Sequence, residues 1–492
     1  MLPLCGCSIT DSDASAKRPM HPHAVLVVFD EFPGDTLLGR DGRIDAGRFP
    51  NFAALAGDST WFRNAATAYD ETTKAVPLIL DGMRPRRGVS PIVRDHPRSI
   101  FTALGRRGYR MVPNEEATAL CPRRYCPSER RKRPAIIPNL KGGRPERFEQ
   151  FIRSIRPSRR PTFWMKHALL PHGPWVYMPS GNRSRPEGPE LLPGMQTVPG
   201  FYDDYLTRHN EQRYLLQLGF VDRLLGRLVE RLKSQRMYDD TLIVVTADHG
   251  FAWQVGVPTR RSITPSNVDE LAPVPLFVKK PGQSRARVSD VLARTLDVTP
   301  TIAHVLGVPL GYRADGRSAF SGAVRARREV SLTKRDFSSI VRISPARWEA
   351  RRHALVRRRL RQLGSSDWPS LYTSLGPNRD LIGQQVVSAR ASKGLRATIS
   401  LSHSFARVRH PSGVVPCQIA GRIHGSGDQR ERNLAIAVNG RIEAVGRSFH
   451  LKGERVESYS VMVPENALRE GRNTVEVLEV TDEGAMVLLA RS

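Results

Sequence analysis

Two apolar runs in this chain end in side chains able to bind a cation. In Thr241-Leu-Ile-Val-Val-Thr-Ala-Asp-His-Gly250, the run from Leu242 to Thr246 stops at Asp248, His249 and Gly250. Such a β-branched run reads as a buried strand of a parallel sheet, and ligands of open α/β sheets bind beyond the carboxyl ends of the strands. A carboxylate and an imidazole there can share a divalent cation, and glycine lets the backbone turn away sharply. Far upstream, Ala24-Val-Leu-Val-Val-Phe29 runs into Asp30-Glu31. A strand-end turn with a capping aspartate would explain either site alone. Two strands that both deliver carboxylates make a metal site the better reading.

A nucleophile for such a site is sought between them, in Ala68-Tyr-Asp-Glu-Thr-Thr-Lys-Ala-Val-Pro-Leu-Ile-Leu-Asp-Gly82. Proline is tolerated in the first turn of a helix, so Pro77 predicts a helix that begins between Lys74 and Pro77. Thr72 and Thr73 then fall at or just before its N-terminus, where free N–H groups and the helix dipole favour an oxyanion. A hydroxyl bound to a dication loses its proton more easily, which would activate a threonine. Simple capping by Thr72 is the plainer alternative.

The elements that must position these residues follow from periodicity. From Ala24 the pattern alternates strand and helix, as βαβ units require. Tyr109–Val112, Pro161–His167 and Pro273–Lys279 read as strands. Phe49–Ala56 (with Asn51 as the cap), Ser99–Gly105, Asn210–Lys233 and Asp297–Leu306 (opening near Pro300) read as helices. The division expected is a leader over 1–22, a catalytic unit over 23–320, a basic helical linker over 321–396 and a β-sandwich-like unit over 397–492. In the linker, Ser344-Pro345 starts and Gly364 stops a helix carrying Arg347, Arg351, Arg352, Arg357, Arg358, Arg359 and Arg361. It reads either as a solvated basic face or as a helix resting on anionic lipid headgroups.

A chain of 492 residues has room for two or three domains. Its net charge of +28, carried largely by arginine, admits nucleic acid, an anionic membrane or an anionic substrate. Genome composition explains an arginine excess equally well. The aromatic-interleaved basic motifs of nucleic-acid modules do not appear. No stretch reaches the ~18 apolar residues of a membrane span, and Met1–Cys7 lacks the basic and apolar regions of a signal peptide. That leaves a cytosolic protein or a chain that starts downstream of its targeting segment. Five cysteines are too few for a disulfide framework. Cys121 and Cys126 form either a local disulfide or a reduced pair, and Cys417 reads as core.

Taken together, these residues resemble the sulfatase and alkaline-phosphatase superfamily, in particular its sulfatase-like hydrolases and phosphoethanolamine-type transferases. The resemblance runs from about His23 to Phe320. It is carried by Val-Val-Phe-Asp30-Glu31, Arg48-Phe-Pro-Asn-Phe-Ala-Ala-Leu-Ala56, the Thr72 segment closing in Leu80-Asp-Gly82, His167-Ala-Leu-Leu-Pro-His-Gly-Pro174 and Thr246-Ala-Asp-His-Gly250. It implies an α/β fold with a mostly parallel central sheet, helices on both faces, and the β-rich unit appended. It implies that Asp30, Asp248 and His249, with Glu31 and Thr72, hold a divalent metal. Zinc is preferred because His249 supplies nitrogen; manganese, magnesium and calcium are the alternatives. Thr72 lies five residues before Pro77, where the transferase-like members place their nucleophile. His172 and His167 match histidines that hold the transferred group or a second metal, and Lys74 is a further candidate for binding the anion.

Two departures from the family pattern matter. Ordinary sulfatases carry a cysteine or serine that is oxidised to formylglycine; Thr72 stands in that place and cannot undergo that conversion. Relatives also show a further histidine or lysine downstream of the Asp-His-Gly, whereas this chain has no histidine between His249 and His304. Arg260 and Arg261 lie near that place and suit an anionic oxygen. The implied function is metal-dependent hydrolysis or transfer of phosphate or sulfate esters through a covalent threonine intermediate. The alternative is an inactive scaffold that binds an anionic glycan or lipid. Relatives commonly face outward from a membrane, which implies an extracytoplasmic or membrane-associated location and a Cys121–Cys126 bond.

Overall fold

The computed structural model describes residues 21–127, 134, 136–186, 203–255, 260–364, 366–425, 427–428, 430–451 and 453–492. All but the last two residues of the expected leader lie outside them.

Numbered along the chain, β1 (Ala24–Asp30), β2 (Thr60–Phe62), β3 (Arg110–Asn114), β4 (Thr162–Pro171), β5 (Leu242–Ala247), β6 (Leu276–Lys279) and β7 (Arg287–Ser289) form one sheet in the order β3-β4-β1-β5-β6-β2-β7. β4 and β5 flank β1, both parallel to it, and all of β1, β4 and β5 is buried. Two-sided burial explains their near-continuous apolar sequences. Only β6 reverses direction, antiparallel to β5 and β2. Because β1 and β5 are adjacent and in register from Ala24↔Leu242 to Phe29↔Ala247, their acidic ends come out side by side.

The helices are α1 (Pro50–Gly57), α2 (Thr72–Asp81), α3 (Ile100–Arg106), α4 (Ile136–Lys141), α5 (Arg144–Ser154), α6 (Asp204–Ser234), α7 (Val268–Leu271) and α8 (Val298–Leu306). They cover the two faces of the sheet: α1, α5 and α6 pack together against it, and α2, α3 and α8 form the second group. Asn51 is not the cap of α1. That place falls to Phe49, and the free amides of Asn51 and Phe52 donate to Asp222 Oδ1 on α6, at 3.0 and 2.8 Å. Asn51 Nδ2 donates to Asp222 Oδ2 at 2.7 Å. Gly226, one turn further along α6, makes room for this contact: a Cβ there would lie 2.3 Å from Asn51 Oδ1.

Helix α2 starts earlier than Pro77 predicts. It opens at Thr72, behind Glu71, and carries Pro77 inside. Proline removes the bond to the carbonyl four residues back and crowds that carbonyl; here it is that of Thr73, in the first turn.

The stretch expected as a helical linker also holds a hairpin of β8 (Val330–Thr333) and β9 (Ile340–Ile343), beside α9 (Gly322–Arg325), α10 (Pro345–Leu363) and α11 (Pro369–Thr373). Helix α10 has Ser344 and Gly364 at its caps. It is not a free basic rod: Trp348, Arg352, Val356, Arg359, Leu360 and Leu363 are buried. Arg352 forks onto Asp35, Nε to Oδ2 at 2.7 Å and Nη2 to Oδ1 at 2.6 Å. Arg359 donates to the carbonyls of Asp35 and Leu38 at 2.7 and 2.8 Å. Part of the arginine excess is thus interior hydrogen bonding.

Beyond it, β10 (Arg390–Ala391), β13 (Asn433–Val438), β14 (Arg441–Arg447), β17 (Val475–Val480) and β18 (Met486–Arg491) form a five-stranded sheet. β11 (Arg396–Ile399), β12 (Gln418–His424), β15 (Phe449–His450) and β16 (Glu457–Met462) form a four-stranded one. One face of their buried apolar residues, including Leu434, Ile436, Val475 and Val477, joins the cluster that begins at Ala24, while Ala435, Ala437, Ile442, Val445, Leu478 and Val480 form a second, smaller one. Cys121 and Cys126 are disulfide-bonded, their Cα atoms 6.0 Å apart, and Cys417 is free and buried. No helix among the described residues is long and apolar enough to cross a membrane.

Candidate active site

Asp30 closes β1, and Asp248 and His249 follow β5. The backbone ties the two ends together: Asp248 N donates to Phe29 O at 2.9 Å and Phe32 N to His249 O at 2.8 Å. Asp248 Oδ1 accepts from the amides of His249 and Glu31, at 2.6 and 3.2 Å. Thr67 Oγ1 donates to Asp248 O at 2.6 Å. Gly250 is needed here, since a Cβ would meet Glu270 O at 2.7 Å.

The result is a buried cluster in which one ligand atom each of Asp30, Asp248 and His249 lies within 4.8 Å of the others. His249 Nδ1 lies 2.8 Å from Gly250 O. Donation to that carbonyl puts the proton on Nδ1 and leaves the Nε2 lone pair for the cluster, the tautomer a metal ligand needs. Asp30 Oδ2 and Asp248 Oδ2 are buried without a hydrogen-bond partner. Burial, Asp248 and Glu31 together push the Asp30 carboxyl well above its ordinary range, against the pull of Arg261 and Thr72. Two orphaned carboxylate oxygens beside an imidazole lone pair fit a divalent cation.

Thr72 is brought to this cluster. Its Oγ1 lies 3.4 Å from Asp30 Oδ1 and 3.4 Å from His249 Nε2. Thr73 Oγ1 instead donates to Glu71 Oε1 at 2.9 Å. The segment leading to Thr72 is pinned by the β8–β9 hairpin: Thr333 N donates to Ala68 O at 3.3 Å, Tyr69 Oη to Arg335 O at 2.7 Å, and the Tyr69 and Phe337 rings sit 5.3 Å apart.

Glu31 is not part of the metal-type cluster. Its backbone is left-handed, φ +57°, and its carboxylate, fully buried, meets Arg260 Nη2 at 3.0 Å and Arg261 Nε at 3.2 Å. Burial alone would raise its pKa; Arg260, His172, Arg261 and His249 outweigh burial and hold it well below the usual carboxylate range. His172 Nε2 stands 3.6 Å from Glu31 Oε1, and burial pushes that imidazole down to about 3. His167 lies in β4 opposite Val28, both ring nitrogens without a hydrogen-bond partner. Burial lowers it to about 4, against the opposing pull of Asp248 and Glu116. Both histidines are therefore neutral at neutral pH. Lys74 Nζ is bonded to the carbonyl of Val89.

Several residues at the site carried no sequence motif. Arg144 and Gln217 hold the His172 loop: Arg144 donates to the carbonyls of His172 and Pro174 at 2.5 and 2.6 Å, and Gln217 Nε2 to Pro171 O at 2.8 Å. Asp70 sits two positions before Thr72. Its Oδ2 accepts from Ile263 N at 2.8 Å, while its Oδ1 is buried without a partner. The acidic pair Asp70-Glu71 before two threonines was the one available signal. Arg144 and Gln217 act through backbone carbonyls that only the fold brings near.

Curated relatives match over short segments. The multifunctional alkaline phosphatase superfamily protein PehA of Trinickia caryophylli is 34% identical over 100 residues, covering 20% of this chain and 19% of the relative. Choline-sulfatase of Rhizobium meliloti is 31% identical over 104 residues, covering 21% and 19%. The matched segments thus span about a fifth of the relatives' own length. Among solved structures, the phosphonate monoester hydrolase of Agrobacterium radiobacter superposes with a TM-score of 0.47 and 17% identity, over 68% of this chain and 82% of the other. The sulfatase family model matches residues 22–308, a span that takes in Asp30, Thr72, His167, His172, Asp248 and His249, and the chain belongs to the sulfatase family of the alkaline phosphatase superfamily.

Proposed function

We propose that this protein is a metal-dependent hydrolase or transferase of sulfate or phosphate esters that works through a covalent Thr72 intermediate. The observation that carries the reading is the placement of Thr72 Oγ1 at 3.4 Å from both Asp30 Oδ1 and His249 Nε2, beside two buried carboxylate oxygens without partners. Asp30, Asp248 and His249 would hold the ion, with zinc favoured by the imidazole nitrogen. A bound divalent cation supplies Lewis-acid stabilisation of the alkoxide and of the oxygens of the transferred group.

The side chains divide the remaining work. Thr72 Oγ1 attacks the sulfur or phosphorus in line, forming the Oγ1 ester as the bond to the leaving oxygen breaks. The proton lost by Thr72 balances the one gained by the departing alcohol. The partial positive charge at the start of α2 favours the negative charge that builds on the transferred group. Arg261, with Arg260 behind it, binds its oxygens; His167 donates one N–H to it, and His172, whose Nδ1 faces Gly173 O at 2.7 Å, keeps its Nε2 lone pair to accept from the incoming water, hydroxyl or amine. Water, or an acceptor hydroxyl or amine, then cleaves the Thr72 ester and restores the hydroxyl. The Cys121–Cys126 bond supports an oxidising, extracytoplasmic setting.

The test is metal analysis of the purified protein together with turnover of aryl phosphate, phosphodiester, phosphonate monoester and aryl sulfate substrates. About one tightly held divalent ion per chain and hydrolysis abolished by chelation are expected. A metal-free protein inert toward all four classes would favour the scaffold alternative.

A further inference from the structure

We propose that Glu31 is a positioning residue that holds Arg260 and Arg261 together as the receptor for the charged group of the ester, and is not a further metal-binding carboxylate. The inference rests on the reading of Thr72 and the Asp30–Asp248–His249 cluster given above. Asp30 and Glu31 are consecutive, yet their carboxylates serve different neighbours. The left-handed backbone at Glu31, φ +57°, is one that an L-residue adopts only when its surroundings impose it. Here they do: Glu31 N donates to Asp248 Oδ1 at 3.2 Å, Tyr214 Oη donates to Glu31 O at 3.2 Å, and the next amide, of Phe32, donates to His249 O at 2.8 Å. The peptide is thus tied to the Asp-His-Gly turn on both sides.

The carboxylate it aims is fully buried. Both of its oxygens meet Arg260 Nη2, at 3.0 and 3.3 Å, and Oε1 also meets Arg261 Nε at 3.2 Å. Two guanidinium groups brought together away from water repel each other. One carboxylate between them offsets half of that charge, and Asp30, Asp248 and Glu71 also act on Arg261. Glu31 holds Arg261 through Nε, at the stem of the planar fork, and forks of this kind match the oxygens of sulfate and phosphate. The side chain of Arg261 is 25% exposed, that of Arg260 7%. Glu31 and Arg260 form the fixed base, and Arg261 is the member that solvent, and so a substrate anion, reaches.

The experiment uses the metal-loaded full chain as wild type, Glu31→Gln, Arg261→Ala and the double variant. Metal content is measured by elemental analysis, binding of inorganic sulfate and phosphate by calorimetry, and kcat and KM with the best ester of the panel. Glu31→Gln keeps the shape and one acceptor oxygen. The expected result is an unchanged metal stoichiometry, with anion affinity weakened and KM raised by about tenfold or more and kcat altered less. The double variant should be no worse than Arg261→Ala, because Glu31 acts through that side chain. Loss of metal from Glu31→Gln with anion binding intact would overturn the proposal and leave the Thr72 reading standing. Tighter anion binding in Glu31→Gln would also overturn it, since Glu31 would then act only to offset positive charge. Should Glu31→Gln fail to fold, Arg261→Ala alone decides: unchanged anion affinity contradicts the receptor. A wild-type protein that binds neither metal nor anion would defeat the ester-hydrolase reading along with it.

Discussion

Thr72 and Thr73 are adjacent hydroxyls with different surroundings, and the difference is chemical. Thr73 Oγ1 is spent on Glu71 Oε1, whereas Thr72 Oγ1 faces Asp30 and His249. Under the proposed function, Thr72→Ala should lower turnover by orders of magnitude while the metal content stays that of the wild type. Thr73→Ala should keep activity within a few-fold and cost about 0.5–1.5 kcal/mol of stability, the usual worth of one hydrogen bond. Paired kinetic and urea-unfolding measurements on the two variants check this. An inactive Thr73→Ala beside an active Thr72→Ala would reverse the assignment. At this scale the sequence was most readable where chemistry sits at strand ends. Asp30, Asp248 and His249 could be picked out because each terminates an apolar run. Glu31 could not be separated from Asp30, since nothing in a dipeptide records the φ of its second residue.

Among the elements, β1, β4 and β5 are legible as apolar runs because two-sided burial leaves an unmistakable composition, whereas the three-residue strands β2 and β7 leave no such run. The helix starts were read less well. Pro77 pointed to a start at Lys74 or later, but a proline inside a helix costs one hydrogen bond plus a local clash, and burial of α2 from Ala75 to Asp81 outweighs that. Sequence points to Asn51, the nearest polar residue, as the cap of α1, whereas the acceptor in the structure, Asp222, lies 171 residues away. Such a long-range cap has no local signature. Asp222→Ala should lower stability by about 2 kcal/mol in urea unfolding and leave metal content unchanged. A second element-scale test is pH. Burial pushes Glu270, whose Oε2 accepts from Trp253 N, up to about 7 from an ordinary 4.5, although that amide and Arg358 pull it down. Between those two values the folded chain holds a proton that the unfolded chain has lost. Stability therefore falls as pH rises through the window, by about 3 kcal/mol at most. Glu270→Gln should flatten that part of the stability curve; an unchanged slope would assign it to other groups.

For the molecule as a whole, net charge was the least informative number. Arg144, Arg213, Arg352 and Arg359 are buried, each bonded to backbone carbonyls or carboxylates, so a surplus of +28 overstates the basic surface. Arg352→Ala should cost about 3–5 kcal/mol, because Asp35 would keep a buried charge without its fork, and thermal unfolding would register the loss as a lowered midpoint. Continuity of the buried cluster from Ala24 to Leu489 was likewise invisible in the sequence, where the shift to alternating strands after Ala397 marked only a change of architecture. The protein's central chemical claim, a covalent ester on Thr72, can be read directly. Metal-loaded protein turning over the best ester of the panel is quenched in acid, digested and mapped by tandem mass spectrometry. The expected result is a sulfate or phosphate group localised to Thr72, absent from the Thr72→Ala variant and from chelated protein. Steady turnover with the group found on Thr73 or another residue, or with no adduct at any quench time and an active Thr72→Ala variant, would contradict it.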